Sequence, residues 1–469
     1  MTEEEQGVSR RQFLGMAGAV AGAGALGGGA RRTLANVLGG IGTEAPRNRF
    51  LPPSTKLSGQ LKILQWSHFV PRYDKWFDSY AKEWGRHVGV DVSVDHINLA
   101  DIPAHTAAEI AAGSGHDLIE WLSPPATLEK SVLNLADLNA EAVKRFGPQQ
   151  SFAKASSYNP TTDKYYGYTH VWVPDPGDYR KSFWEKVGFP KGPATYEELL
   201  KGGKAINDKY GVAMGIGMSN EIDSNMAARA LIWSYGGSVQ DKHEKIVLNS
   251  PETIRAVEYM AKLYKETMSA EVFAWNSASN NEGLIAGVLS YILNSISAYR
   301  SAQSDNPKVA NDVFFTPALK GPTGLGFASQ HVVLVYIVPN FSKNADAAKE
   351  FCLNLSVNDP SGTYQSELYD FPAFKRNVPE LNGWLARDPF GSRPADKLEL
   401  LEHSAAWTTN VGYPGPANAA VAEVFDTFVL PQMMARVAQG SQSAKESVAE
   451  AERQIKPIFA SWRKKGLVS

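Results

Sequence analysis

The sequence predicts an α/β fold with parallel strands, spread over more than one folding unit. Three observations carry this. A chain of 469 residues exceeds what a single core usually holds. The composition is globular, with 43% hydrophobic and 20% charged residues. From Leu61 to Trp121 the hydrophobic pattern alternates between strand and helix periods, in the order strand, helix, strand, helix, strand.

The first segment reads as an address. "SRRQFLGMAGAVAGAGALGGGA" starts at Ser9 with Arg10-Arg11, then Phe13-Leu14 and an Ala/Gly-rich stretch. That order matches a twin-arginine export signal, expected over residues 1–35, with cleavage near Ala30 or Ala35. The stretch is too short and too weakly apolar for a membrane span. No cysteine follows it, so no lipid anchor is expected. Gly22-Ala-Gly24-Ala-Leu-Gly27 spells GxGxxG but lacks a preceding strand, so a dinucleotide site is rejected. Residues 36–58 carry Pro and Arg with little periodicity and read as a linker.

"LKILQW" (61–66) is the first strand. Trp76, Phe77, Tyr80, Trp84 and Val88 recur at helical spacing, with Trp76 and Trp84 as core, and Gly89 stops that helix. "VDVSVDHI" alternates as a strand, "IPAHTAAEIAAG" is a helix ended by Gly113, and "DLIEW" is a short buried strand. Further on, Thr195 and Glu198 suggest a capping box. Ser250-Pro251 opens a second helix with a cap and a proline at its first position. "GVLSYIL" and "HVVLVYIV" read as buried strands, "NADAAKEFCLNL" as a helix after an Asn cap, and residues 418–462 as mostly helical. Cys352, the one cysteine, sits at helical spacing with Ala348, Phe351 and Leu355 and reads as a buried, inert thiol. With 47 Lys+Arg against 49 Asp+Glu, no broad field invites nucleic acid or an anionic membrane. No HExxH, GxSxG or Cys/His set appears, and no catalytic residue is assigned. Asp117 and Glu120, the pair a glycoside hydrolase reading would invoke, would face opposite sides of their strand.

In an open α/β sheet, ligands bind beyond the carboxyl ends of the strands. Glu120 and Trp121 stand at such an end. A carboxylate accepts hydroxyl hydrogen bonds and an indole stacks on a sugar ring. Against that, Trp121 could plug the core and Glu120 could cap the next helix.

Five segments, in order, resemble the extracellular solute-binding proteins of ABC importers, the family that includes maltodextrin binders. They are "AAEIAAGSGHDLIEW", "YYGYTHVWV" with "DYRKSFWEKVGFPKGPATYEELL", "GLIAGVLSYILNSISAY" and "SKNADAAKEFCLNL". His116 stands where that family usually has Pro, and Tyr196 where it has Trp. The resemblance spans about residues 61–462. It implies a two-lobed periplasmic-binding-protein fold, each lobe a mixed sheet flanked by helices, joined by crossing hinge segments. Lobe 1 would comprise 59–169 plus 317–372, and lobe 2 would comprise 170–316 plus 373–469. The crossings would fall near Tyr168–Val171, Phe314–Pro317 and Phe371–Ala373.

It also implies a non-enzymatic, periplasmic receptor for a carbohydrate or other polyhydroxylated solute, which it hands to an ABC permease. The expected protein is a monomer with no cofactor, no metal and no stable membrane anchor. The implied ligand contacts are Trp66, Ser67, His68 and Phe69 after the first strand. Glu120, Trp121 and Ser123 follow the third. His170 and Trp172, with Asp175, come from the crossover. Asn294 and Ser295 are joined by Ser329, Gln330 and His331. Trp275, Asn276 and Trp407 are further candidates. The stacking aromatics of maltodextrin binders are replaced here by Ser297 and by Tyr413 with Asn418, which argues against a long malto-oligosaccharide. His68, His170 and His331, with Arg72 or Arg180, motivate an alternative solute that is anionic or metal-chelated.

Overall fold

Leu61, Ile63 and Leu64 have no exposed surface, and they anchor the first strand of a mixed sheet. The computed structural model describes residues 45–329 and 332–469. The expected export signal and the first part of the linker lie outside the described residues, as do Gln330 and His331.

The strands of the two main sheets are β1 (Gln60–Trp66), β2 (Asp91–Ile97), β3 (Leu118–Trp121), β4 (Tyr168–Trp172), β5 (Gly177–Arg180), β6 (Ala213–Gly215), β7 (Leu289–Leu293), β8 (Val313–Thr316), β9 (Val333–Ile337) and β10 (Phe371–Pro372). The larger sheet has six strands in the order β10-β4-β9-β3-β1-β2, and the smaller has four in the order β8-β5-β7-β6. β1 runs parallel to β2 and β3, while β9 inserts antiparallel between β3 and β4. In the smaller sheet only β6 and β7 are parallel.

Helices α1 (Pro71–Val88) and α2 (Ile102–Ala112) make the two crossovers of the first three strands. α1 turns Tyr73, Phe77, Tyr80 and Trp84 inward, and Gly89 ends it at φ 78°. α2 ends at Gly113, φ 64°. Both stops use a left-handed residue, which glycine adopts without penalty. The strand and helix order expected from Leu61 to Trp121 is therefore present.

Caps differ in detail from expectation. Thr195 Oγ1 accepts from Glu198 N at 3.1 Å, but the Glu198 carboxylate takes Ala194 N at 2.7 Å, so the reciprocal half of the box is displaced by one residue. Asn344 precedes helix Ala345–Val357 without capping it. Its amide instead donates to the Asp117 carboxylate at 3.1 and 3.2 Å. Ser250 caps its helix as expected.

Part of the expected linker is bound. Arg49 N and Leu51 N donate to the amide oxygens of Asn358 and Asn354 at 2.7 and 2.9 Å, and Phe50 stacks on His87 at 4.5 Å. Cys352 is fully buried, and burial pushes its thiol well up. β4 belongs wholly to the larger sheet, and the chain enters the smaller one through residues 173–176.

Candidate functional site

The loops at the carboxyl ends of β1, β2 and β3 form one wall of a cleft of about 770 Å³. Ser67 and Phe69 follow β1, Asn98 to Ala100 and Ile102 to Ala104 follow β2, and Trp121 to Ser123 close β3. The other wall comes from Asn220, Glu221 and Ile222, from Trp275 to Ala278, and from Phe425, Asp426 and Phe428. One indole stands on each wall. Crevices of this size at parallel strand ends are where α/β proteins take small ligands.

Local chemistry positions these groups. Asn98 Oδ1 accepts Ala100 N at 2.9 Å and folds the turn after β2. Glu221 caps helix α3 (Ile222–Ser234), its carboxylate accepting the N–H groups of Asp223 and Ser224 at 2.6 Å each. A Cβ at Gly215 would lie 2.2 Å from the Trp275 ring, so this glycine makes room for the indole. Phe428 holds a left-handed backbone at φ 55°, a conformation a bulky residue adopts only under constraint. The Trp121 Nε1–H is buried with no protein partner.

The electrostatics are one-sided. Among the described residues, no Lys, Arg or His lines the cleft, and its ionisable groups are Glu221 and Asp426. Burial pushes Glu221 up to about 8, with Asp223 adding to the rise. Burial also raises Asp426 to about 7 against the pull of the Arg229 guanidinium. Burial thus works against full negative charge on both acidic groups of these walls.

Six expected contact residues line the cleft: Ser67, Phe69, Trp121, Ser123, Trp275 and Asn276. The other described ones lie elsewhere. Glu120 has no exposure, and its Oε1 is 2.8 Å from His170 Nε2. Burial raises Glu120 to about 8 and lowers His170 to about 3. At neutral pH both are then uncharged, and the Glu120 O–H donates to the imidazole. His68 is also internal. Val70 N–H donates to its Nδ1 at 2.8 Å, which leaves Nε2–H to donate to Asp370 at 3.2 Å. Trp66 packs on His68 and Phe69. Trp172 donates to Pro372 O at 3.2 Å among Phe152 and Phe371. Asn294 and Ser295 close a buried turn with Asn281 and Ser297. Gln330 and His331 lie outside the described residues.

Sequence reasoning missed the segment 98–104 and residues 425–428, and also Asn220 to Ile222. The first was findable, since it follows a parallel strand as Ser67 and Trp121 do. The second spans the end of helix Ala419–Asp426 and the cap of helix Val429–Ala438 and carries no local signal. Among the described residues, one group of three metal-ligand side chains lies close together, His105, Glu109 and His116, and it is outside this cleft.

The profile of the bacterial extracellular solute-binding protein family matches residues 75–390, more than half of the chain. No curated protein matches the sequence. Solved structures do. Maltose-bound MalE3 of Thermotoga maritima is 18% identical, with TM-score 0.70, over 85% of this chain and 100% of its own. A sugar transporter from Arthrobacter chlorophenolicus A6 with bound laminaribiose is 16% identical, with TM-score 0.70, over 85% and 99%. The GacH receptor of Streptomyces glaucescens, solved unliganded and with acarbose, is 18% identical, with TM-score 0.69, over 86% and 99%. At such identities the likeness is one of fold, the two-lobed binding-protein architecture. With the family match covering most of both sheets, the chain belongs to the bacterial extracellular solute-binding proteins, which are receptors rather than enzymes.

Proposed function

We propose that this receptor takes a carbohydrate or a related polyhydroxylated solute in the cleft between its two sheets and delivers it to an ABC permease. The carrying observation is the cleft itself: an indole on each wall, Asn and Ser side chains between them, and no cation among its described residues. Rings stack on sugar faces, and neutral amides and hydroxyls exchange hydrogen bonds with sugar hydroxyls. Maltose, laminaribiose and acarbose in similar folds support the same class of solute here.

An anionic solute has no such support. Arg72 is held by Gln365 at 2.7 Å and Arg180 by Asp312 at 2.8 Å, while His68 and His170 face internal carboxyl groups. The hydrolase pair is equally engaged, Asp117 with Ser342 and Asn344, and Glu120 with His170. Export by the twin-arginine route, and two lobes connected through residues 173–176, complete the reading.

The test is a melting screen of pure protein against mono-, di- and oligosaccharides, polyols, uronates and polyamines. A concentration-dependent rise in Tm with a neutral sugar or polyol is expected. A rise with uronates or polyamines alone would replace the carbohydrate reading with a charged-solute one.

A further inference from the structure

We propose that His105, Glu109 and His116 form a site for one divalent transition-metal ion of the zinc class, outside the solute cleft. His105 and Glu109 are one helical turn apart on α2, so their side chains share a face. Past Gly113, the chain turns back over this face. Gly115, at φ 151°, makes the return possible, because a Cβ there would lie 2.3 Å from the Glu109 carboxylate. His116 then arrives with its backbone N–H on Glu109 Oε2 at 2.9 Å and its Nδ1 2.5 Å from Oε1. His105 Nε2 is 3.1 Å from the same Oε1, and the three ligand atoms all lie within 4.8 Å of one another.

Tetrahedral zinc, with bonds of about 2.0–2.1 Å, holds its ligands roughly 3.3 Å apart. Small side-chain rotations reach that spacing. The second nitrogen of His116 is also accounted for: Nε2 is 3.0 Å from Asp95 Oδ2. A carboxylate on the far nitrogen is the usual device for fixing a ligating imidazole's tautomer and orientation. Two imidazoles and one carboxylate suit zinc and its neighbours, not magnesium or calcium, which want oxygen alone. The His105 side chain is 46% exposed, which gives the ion a way in and leaves a fourth position for water.

The site ties three segments together: β2 through Asp95, α2 through His105 and Glu109, and the entry to β3 through His116. All three run into the same cleft wall, since Ala104 and Trp121 both line it.

The experiment uses the full chain purified without a histidine tag and titrated with Zn²⁺ alone by calorimetry, then with Co²⁺ by visible absorption. One ion per chain at micromolar or tighter affinity is expected, with the intense visible bands of four-coordinate Co²⁺. Mg²⁺ should give no heat. His105→Ala, at a half-exposed position, should abolish the Co²⁺ bands while leaving the far-UV spectrum intact. Asp95→Asn should weaken Zn²⁺ by about tenfold to a hundredfold. No saturable Zn²⁺ binding by the wild type, or binding undiminished in His105→Ala, would overturn the site. Sugar binding is read separately, so failure here leaves the proposed function standing.

Discussion

Glu120 and Trp121 are neighbours with opposite roles, and the reason is the strand they end. Successive side chains of β3 point to opposite faces, and all four of its residues are buried. One face sends Glu120 to His170, and the other, at the strand's last position, presents Trp121 to the cleft. The sequence showed the pair and the strand end. It could not show which partner waited on the far face, because His170 arrives from another strand. The buried pair has a pH signature. Glu120 rises from 4.5 to about 8, so the folded state holds its proton more tightly and stability falls as pH rises through that window. His170 drops from 6.5 to about 3, so stability rises with pH between those values. The two slopes cancel between 4.5 and 6.5, and only the Glu120 loss remains from 6.5 to about 8. Across that last window each pH unit costs up to about 1.4 kcal/mol. Glu120→Gln can still donate to His170 and should remove this share of the alkaline loss, seen as a flatter urea-midpoint profile than wild type. For the cleft, Trp121→Ala and Trp275→Ala should each weaken the bound solute about two- to tenfold, a stacking energy of roughly 0.5–1.5 kcal/mol, by isothermal titration.

Elements built from local signals were legible, and those fixed by distant partners were not. Hydrophobic period and glycine stops located α1, α2 and the first three strands. β10, with two residues, offers no period at all, and its pairing with β4 is set by chain some 200 residues away, as the Trp172 to Pro372 hydrogen bond shows. The same limit hid the tie that secures helix Ser297–Asp305. Its Arg300 meets Asp388, separated by 88 residues, in a two-pronged pair at 2.7 and 3.1 Å, with side-chain exposures of 2% and 0%. Asp388 also accepts Phe390 N at 3.1 Å. Removing one member strands the other charge in the interior. Asp388→Ala should therefore cost about 3–5 kcal/mol, read from the urea-unfolding midpoint, with Arg300→Met/Asp388→Leu recovering much of it because neither charge is then buried.

At the scale of the whole molecule, four of the six wall residues that sequence did reveal, Ser67, Phe69, Trp121 and Ser123, follow parallel strands, where the crevice rule applies without knowledge of the other sheet; Trp275 and Asn276 stand on the opposite wall. The opposite wall is assembled from segments far apart in sequence, around residues 220, 275 and 425, which is why Phe425, Asp426 and Phe428 were invisible. A solute touching both walls favours their approach only if its contacts improve when they close. Trp121 and Trp275 on opposing walls supply that condition, since one ring can be stacked on both faces only in the closed form. The protein is well suited to a direct measurement. Cys352 is its one cysteine and is fully buried, so added surface thiols are the only ones that should react. Lys75 lies exposed on α1 beside the larger sheet, and Lys201 lies exposed on helix Tyr196–Tyr210 beside the smaller one. Spin labels on Lys75→Cys and Lys201→Cys leave the cleft untouched. Pulsed dipolar spectroscopy should give a distance distribution that shifts by several ångström and narrows when the solute from the melting screen is added. Trp275→Ala should bind more weakly and need correspondingly more solute for the same shift. A saturated Lys75→Cys/Lys201→Cys protein whose distribution does not move would mean that the cleft binds as a rigid groove, and delivery would then have to be read from the occupied wall itself.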